Sequence, residues 1–86
     1  MERIIVDVRE PLEFRFGHVK GAINISPSEM MGGIPDKLAD VPKDTEIILY
    51  CMSGARSNTA IQILEKHGFT NLVNGVNKAQ VQAKYL

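Results

Sequence analysis

The residues of this chain that are best suited to covalent chemistry lie in one short segment, Cys51-Met52-Ser53-Gly54-Ala55-Arg56. Cys51 follows an apolar run, and a helical pattern begins soon after Arg56. A small, glycine-containing loop that enters a helix directs several backbone N–H groups inward, which creates an anion-binding site. Because these amides and the helix dipole favour thiolate over thiol, we expect the pKa of the Cys51 thiol to be lowered. The segment therefore predicts a nucleophilic sulfur, with Arg56 adding positive charge.

A single cysteine also has a simpler interpretation. A Cys at the end of an apolar strand is most often a small core residue. Only its combination with the loop, with Arg56 and with the following helix favours a reactive sulfur. We expect no structural metal site, because Cys51, His18 and His67 lack the paired spacing of zinc ligands.

The elements that must position this loop follow from hydrophobic patterning. Apolar and β-branched residues predict strands near residues 3–8, 22–25, 46–51 and 71–74. Helical segments separate them, and strands joined in this way pair in parallel through right-handed crossovers. We expect one α/β domain over residues 1–86, with a central, mainly parallel sheet of four to five strands and helices on both faces. Ligands bind such sheets at the carboxyl ends of the strands, where Cys51 is predicted to lie.

Capping residues mark the predicted helices. Pro11 opens a short first helix, and Ser26 with Glu29 forms a capping box before a second. A third helix is expected from about residue 57 to residue 66 or 67. Asn77 is a candidate cap for a helix at the C-terminal end.

Composition excludes several functional classes. The 86 residues contain 10 Lys plus Arg and 10 Asp plus Glu, for a formal net charge of zero. Without a basic excess, neither nucleic acid nor an anionic membrane is an expected partner. No apolar run approaches the roughly 20 residues needed to span a bilayer. The N-terminal residues lack the pattern of a signal peptide, which predicts a cytoplasmic location.

Two motifs of this sequence, which follow each other along the chain as they do in the family, resemble the rhodanese family of thiosulfate sulfurtransferases, in its small single-domain form. The segment 51–56 looks like the family's active-site loop. Its N-terminal signature is resembled by three segments in succession: Asp7-Val8-Arg9, then Glu13-Phe14, then Gly17-His18-Val19-Lys20-Gly21-Ala22-Ile23-Asn24. The likeness extends from about residue 4 to residue 76. It departs from the family at Asn74-Gly75-Val76, where two glycines are usual, and at Met52, where many members carry a polar or charged residue.

The resemblance implies a sulfurtransferase in which Cys51 is the catalytic residue and carries a persulfide. It implies a small sulfur-donor anion such as thiosulfate, and a thiol, cyanide or an acceptor protein as the recipient of the sulfur. We expect no metal, no organic cofactor and a monomeric chain. The implied substrate-binding residues are those of the loop, whose amides hold the persulfide: Met52, Ser53, Gly54, Ala55 and Arg56.

Two alternatives remain open at the level of sequence. Dual-specificity cysteine phosphatases share this fold, but their loop is longer by one residue. The shorter segment between Cys51 and Arg56 encloses less space, which favours sulfur transfer over hydrolysis of a phosphate ester. A non-catalytic binding or regulatory module is the other alternative, although inactive relatives typically lose the cysteine. Asp7, Arg9 and His18 are interpreted as structural residues.

Overall fold

The computed structural model describes residues 3–86, in which four strands form one parallel sheet. The strands are β1 (Arg3–Asp7), β2 (Ile23–Asn24), β3 (Glu46–Cys51) and β4 (Leu72–Asn77). Their order across the sheet is β2-β1-β3-β4, and each neighbouring pair is parallel. The predicted α/β class with a parallel sheet is confirmed. Since β3 lies between β1 and β4, residues at its carboxyl end are flanked by backbone on both sides.

All four predicted helices are present, and α1, α2 and α4 begin where capping residues predicted them. They are α1 (Pro11–Phe16), α2 (Pro27–Met31), α3 (Ala55–Lys66) and α4 (Lys78–Tyr85), with a single 3-10 turn at Asp36–Leu38. The capping box of Ser26 and Glu29 is confirmed, and Asn77 caps α4.

The start of α3 differs from the prediction. This helix begins two residues before the expected position near Ser57, at Ala55. The carbonyl of Gly54 already accepts a hydrogen bond from Asn58 N–H at 2.9 Å, so the loop itself closes the first helical turn. The loop is therefore shorter than the sequence suggested, and its last two residues belong to the helix.

Helices cover both faces of the sheet, as predicted. Side chains alternate along β3, so Leu49 and Cys51 lie on one face while Tyr50 lies on the other. The first face packs against α2 and α3, and the second face packs against Val81 of α4. Burial on both faces explains why β3 is a continuous apolar run rather than an alternating one.

The bounds of β4 also differ from the prediction, because the strand contains a bulge. Leu49 pairs with Asn74 and Tyr50 pairs with Val76, which leaves Gly75 as the extra residue. A Cβ on Gly75 would lie 2.5 Å from Cγ2 of Val81, so only glycine lets α4 pack this closely. Val76 has a φ of 74°, a strained conformation for a β-branched residue. The strand therefore continues to Asn77 instead of ending near residue 74.

A buried polar cluster fixes β1 to β3 at the carboxyl end of the sheet. The guanidinium of Arg9 donates to Asp7 Oδ2 at 2.7 Å and to the carbonyl of Gly17 at 2.6 Å. The Tyr50 hydroxyl donates to Asp7 Oδ2 at 2.8 Å and accepts from Val19 N–H at 2.9 Å. These bonds confirm the structural interpretation of Asp7 and Arg9.

His18 is also structural, as predicted. Its Nδ1 lies 2.8 Å from the carbonyl of Phe14, and its ring stacks on the Phe14 ring with centroids 3.6 Å apart. These contacts fix the start of the segment that leads from α1 to β2.

The longest helix, α3, has 12 residues. Within residues 3–86, the helices are all too short or too polar to cross a bilayer.

Candidate active site

Cys51 is the last residue of β3, and only 2% of its surface is exposed. Its sulfur lies on the face that packs against α3, beside the start of that helix. The β3–β4 pairing sets Cys51 opposite Asn77. The position predicted from sequence, at a strand end just before a helix, is confirmed. The sulfur is therefore held against a helix N-terminus with little freedom to move.

The loop after Cys51 turns back so that backbone N–H groups point at the sulfur. Gly54 has a φ of 93°, a left-handed conformation that glycine adopts without strain. Its N–H donates to Cys51 Sγ at 3.1 Å, and Ser57 N–H donates at 3.5 Å. The sequence predicted such donors among residues 52–56. The structure adds Ser57, one position beyond that range.

These donors determine the protonation of the sulfur. Burial raises the pKa of the Cys51 thiol. Hydrogen bonds from the Ser57 hydroxyl and from the N–H groups of Ser57, Ser53 and Gly54 outweigh burial and lower the pKa to about 7. Thiolate and thiol therefore coexist near neutral pH, so a nucleophilic form is present without a separate general base.

Ser57 and Asn74 form the part of the site that sequence reasoning missed. Ser57 is fully buried, and its Oγ lies 3.5 Å from Cys51 Sγ. The same hydroxyl donates to Asn74 Oδ1 at 2.7 Å. Asn74 Nδ2 in turn donates to the carbonyl of Gly54 at 3.1 Å. The available signal was the segment Asn74-Gly75-Val76, which stands where the resembled family usually has two glycines.

Arg56 is held by a carboxylate rather than standing free. Its two terminal nitrogens donate to the carboxylate oxygens of Glu13 at 2.7 and 3.2 Å. The bond to Arg56 is the main reason that the pKa of Glu13 falls to about 2, so the carboxylate is charged at any ordinary pH. The guanidinium is about one third exposed, so an anion from solvent can compete with Glu13 for it. Sequence reasoning noted Glu13 only as part of the N-terminal signature and did not predict its pairing with Arg56, 43 residues away.

The remaining loop residues surround the mouth of the site. Met52, Ser53 and Ala55 are exposed, whereas Gly54 is buried beneath them. Met52 is 62% exposed and presents an apolar, flexible side chain next to the sulfur-bearing residue. The predicted loop residues thus lie together around the sulfur. The contact from the loop to Sγ is made by the backbone N–H of Gly54 rather than by a side chain.

An apolar pocket of about 120 Å³ adjoins this loop between α2 and α3. Met30, Ala60 and Ile63 contribute to its walls, together with Val8 directly after β1, and Arg56 is its charged lining residue. In residues 3–86, the His, Cys, Asp and Glu side chains form no cluster of three that could hold a metal ion. The arrangement suits nucleophilic chemistry at sulfur in a partly apolar setting.

Comparison with known proteins points to one family. A family model described as "Rhodanese-like domain" matches residues 1–79. A protein named sulfurtransferase from Allochromatium vinosum is 34% identical over 71 residues, which are 83% of this chain and 63% of that protein. Thiosulfate sulfurtransferase PspE of Escherichia coli is 36% identical over 69 residues, covering 80% of this chain and 64% of that protein. The chain thus spans less than two thirds of either relative.

A solved structure gives the same result for the fold. A structure titled "rhodanese with anions from E. coli" superposes with a TM-score of 0.79 at 32% sequence identity. The match covers 92% of this chain and 91% of that one. The two chains therefore share the same fold over nearly their whole described lengths.

Proposed function

The chain belongs to the rhodanese-like domain family, and we propose that it is a sulfurtransferase in which the Cys51 thiolate carries a sulfane sulfur. The observation that supports this most directly is the environment of the Cys51 sulfur. It lies at the carboxyl end of β3, receives N–H donors from Gly54 and Ser57, and has a pKa lowered to about 7. Each of these features stabilises an anion on sulfur, either the thiolate or the terminal sulfur of a persulfide.

In the first half-reaction, the Cys51 thiolate attacks the outer sulfur of thiosulfate. A new S–S bond forms to Sγ, the S–S bond of thiosulfate breaks, and sulfite leaves with the electron pair. The product is a cysteine persulfide whose negative charge lies on the outer sulfur. No proton transfer is needed in this step, because the nucleophile is already deprotonated.

In the second half-reaction, a thiophilic acceptor such as cyanide or a thiolate attacks the outer sulfur. The S–S bond of the persulfide breaks, and its electron pair returns to Sγ as thiolate. The acceptor leaves as thiocyanate or as a new persulfide. Because the enzyme alternates between two covalent states, ping-pong kinetics are expected.

Arg56 has a role in the first half-reaction in this proposal. A guanidinium can bind an anion through two parallel N–H bonds, and Glu13 occupies those donors in the resting site. Thiosulfate carries two negative charges and would displace the carboxylate of Glu13 or share the guanidinium with it. Cyanide is small and attacks a persulfide that has already formed, so its step depends less on Arg56.

Intact-mass spectrometry tests the proposed function. Incubation with thiosulfate should add the mass of one sulfur atom, and subsequent addition of cyanide should remove it and release thiocyanate. Cys51→Ser should show neither change while keeping its melting temperature within a few degrees, since the substitution is nearly isosteric. Sulfur loading in the Ser variant would place the chemistry elsewhere, and an absence of loading in the native protein would refute thiosulfate as donor.

An aryl-phosphate assay run beside the mass measurement addresses the phosphatase alternative. We expect no release of phosphate above that of the Cys51→Ser variant. Turnover of the phosphate ester without sulfur loading would favour the phosphatase interpretation.

A further inference from the structure

We propose that Asn74 is a positioning residue for Cys51, which controls whether the Ser57 hydroxyl donates its proton to the sulfur. Asn74 does not contact the sulfur; it acts through Ser57. The inference deepens the proposed function, on which its relevance to sulfur transfer rests. It assigns to the β-bulge of β4 a part in setting the reactivity of a cysteine on β3.

The orientation of the Asn74 amide is fixed by two backbone partners. Val76 N–H can only donate, so the side-chain atom that it meets at 3.0 Å must be Oδ1. The carbonyl of Gly54 can only accept, so the atom 3.1 Å from it must be Nδ2. The oxygen of the amide therefore faces Ser57.

This orientation decides where the Ser57 proton goes in the resting site. Asn74 Oδ1 carries no hydrogen, so the 2.7 Å contact requires the Ser57 hydroxyl to donate to it. The hydroxyl has one proton, and it therefore cannot donate to Cys51 Sγ at the same time. At 3.5 Å from the sulfur, Oγ instead presents a lone pair, which accepts the S–H of the thiol.

Loss of the thiol proton to solvent reverses this preference. A thiolate facing a lone pair is repelled, whereas rotation about the Cβ–Oγ bond of Ser57 directs its O–H at the sulfur. Asn74 Oδ1 then keeps its bond from Val76 N–H, and Nδ2 keeps its bond to Gly54, so no buried group of Asn74 is left unpaired. Asn74 thus competes with the thiolate for one proton and favours the thiol.

Few charged groups act on this sulfur from the elements around it. Arg56 on α3 is the nearby cation, and Glu13 on α1 binds it and offsets its charge. The partner of Cys51 on β4, Asn77, is neutral. Substitutions of Asn74 and Ser57 leave the ion pair of Arg56 and Glu13 unchanged. A change in the reactivity of Cys51 in these variants therefore reports on the Ser57 hydroxyl proton.

The test is the pH dependence of alkylation of Cys51 by iodoacetamide, which measures thiolate without a sulfur donor. Asn74→Ala removes the competing acceptor, so the pKa of Cys51 should fall by about one, a tenfold higher ratio of thiolate to thiol. Ser57→Ala removes the donor, so that pKa should rise by a similar amount. In the double variant the pKa should equal that of Ser57→Ala alone, because Asn74 acts only through the hydroxyl.

Asn71→Ala is the matched control, since Asn71 precedes β4 and its amide bonds only to the carbonyl of Asp44 among the described contacts. It should leave the pKa of Cys51 unchanged. If Asn74→Ala does not fold, Asn74→Asp serves instead. Its carboxylate holds the hydroxyl more tightly and adds charge, so the pKa should rise, and the rise should shrink in the Ser57→Ala background.

The proposal is overturned if Asn74→Ala leaves the pKa unchanged or raises it. It is equally overturned if the effect of either Asn74 variant is the same with and without the Ser57 hydroxyl, which would mean that Asn74 only braces the loop at Gly54. Because alkylation needs no sulfur donor, these results are independent of whether thiosulfate loads Cys51.

Discussion

Tyr50 and Cys51 are neighbours on β3, yet they belong to two polar clusters of opposite character. Tyr50 lies on one face of the sheet, where its hydroxyl and the guanidinium of Arg9 both donate to the carboxylate of Asp7, at 2.7 to 3.1 Å. Cys51 lies on the other face, where it meets Gly54 and Ser57 at 3.1 to 3.5 Å. The two clusters share a strand end but differ in charge and in the hydrogen bonds that their protons can form.

Each proton of the Tyr50 cluster has a single hydrogen-bonding arrangement. The Tyr50 hydroxyl has one donor and one acceptor partner, and the carboxylate of Asp7 is surrounded by donors. Burial raises the pKa of Tyr50 to about 12, so its proton stays in place at any ordinary pH. In the Cys51 cluster, the Ser57 hydroxyl has two possible acceptors, Asn74 Oδ1 and the Cys51 sulfur, whose pKa is about 7. The Tyr50 cluster is therefore rigid, because its protons have no alternative hydrogen bond. The Ser57 proton of the Cys51 cluster has one, so that cluster can change with the charge of the sulfur.

The largest effect is expected from Arg9→Ala, which breaks the charge pair of the first cluster. Asp7 is fully buried, so its carboxylate would be left without its cation, at a cost of about 3–5 kcal/mol in the free energy of unfolding. Urea denaturation measures this loss. Arg15→Ala, an exposed arginine of α1, is the control and should change stability little.

Arg9→Ala also tests whether the two clusters are independent of each other. In the folded fraction of Arg9→Ala, the pKa of Cys51 measured by alkylation should be unchanged, because Arg9 lies on the other side of the sheet. A shift in that pKa would show that the two clusters are coupled through β3.

Tyr50→Phe should have an intermediate effect. It removes the donor to Asp7 and the acceptor for Val19 N–H, both of which are buried, without creating a cavity. A loss of about 1–3 kcal/mol in the free energy of unfolding follows from leaving these groups unpaired. Tyr85→Phe, in the partly exposed last turn of α4, is the control. A stability equal to that of the native protein would mean that the hydroxyl is not structural.

The smallest effect on stability is expected at the ion pair of Glu13 and Arg56 beside the loop. Glu13→Gln removes the carboxylate that competes with an anionic donor for Arg56, so the KM for thiosulfate should fall a few-fold while the KM for cyanide stays constant. Stability should change by less than about 1 kcal/mol, because the pair is partly exposed. Glu65→Gln on the exposed side of α3 is the control.

Two variants of Arg56 complete this measurement. Arg56→Ala should impair the thiosulfate step strongly, and Arg56→Lys should retain part of it, since an ammonium keeps the charge but not the paired N–H geometry. Equal losses in both half-reactions, together with a lower melting temperature, would show that Arg56 only joins α3 to α1.

Features encoded within a few consecutive residues were predictable. The continuous apolar run of β3, the capping box at Ser26 and the segment from Cys51 to Arg56 are local patterns, and the structure contains each of them. The parallel sheet followed from the alternation of strands and helices. The start of α3 was misplaced, because the sequence does not reveal that the carbonyl of Gly54 already accepts a helical hydrogen bond.

The sequence by itself determined the fold class and the position of the Cys51 sulfur at a strand end before a helix, because strand burial and a loop-to-helix transition depend on neighbouring residues. Only the tertiary structure decided which side chains surround that sulfur. Glu13 reaches Arg56 from 43 residues away, and Asn74 reaches Ser57 because it pairs with Leu49, whose side chain lies on the face of the sheet that α3 covers. Such contacts depend on strand order, register and packing angle, which local patterns do not specify.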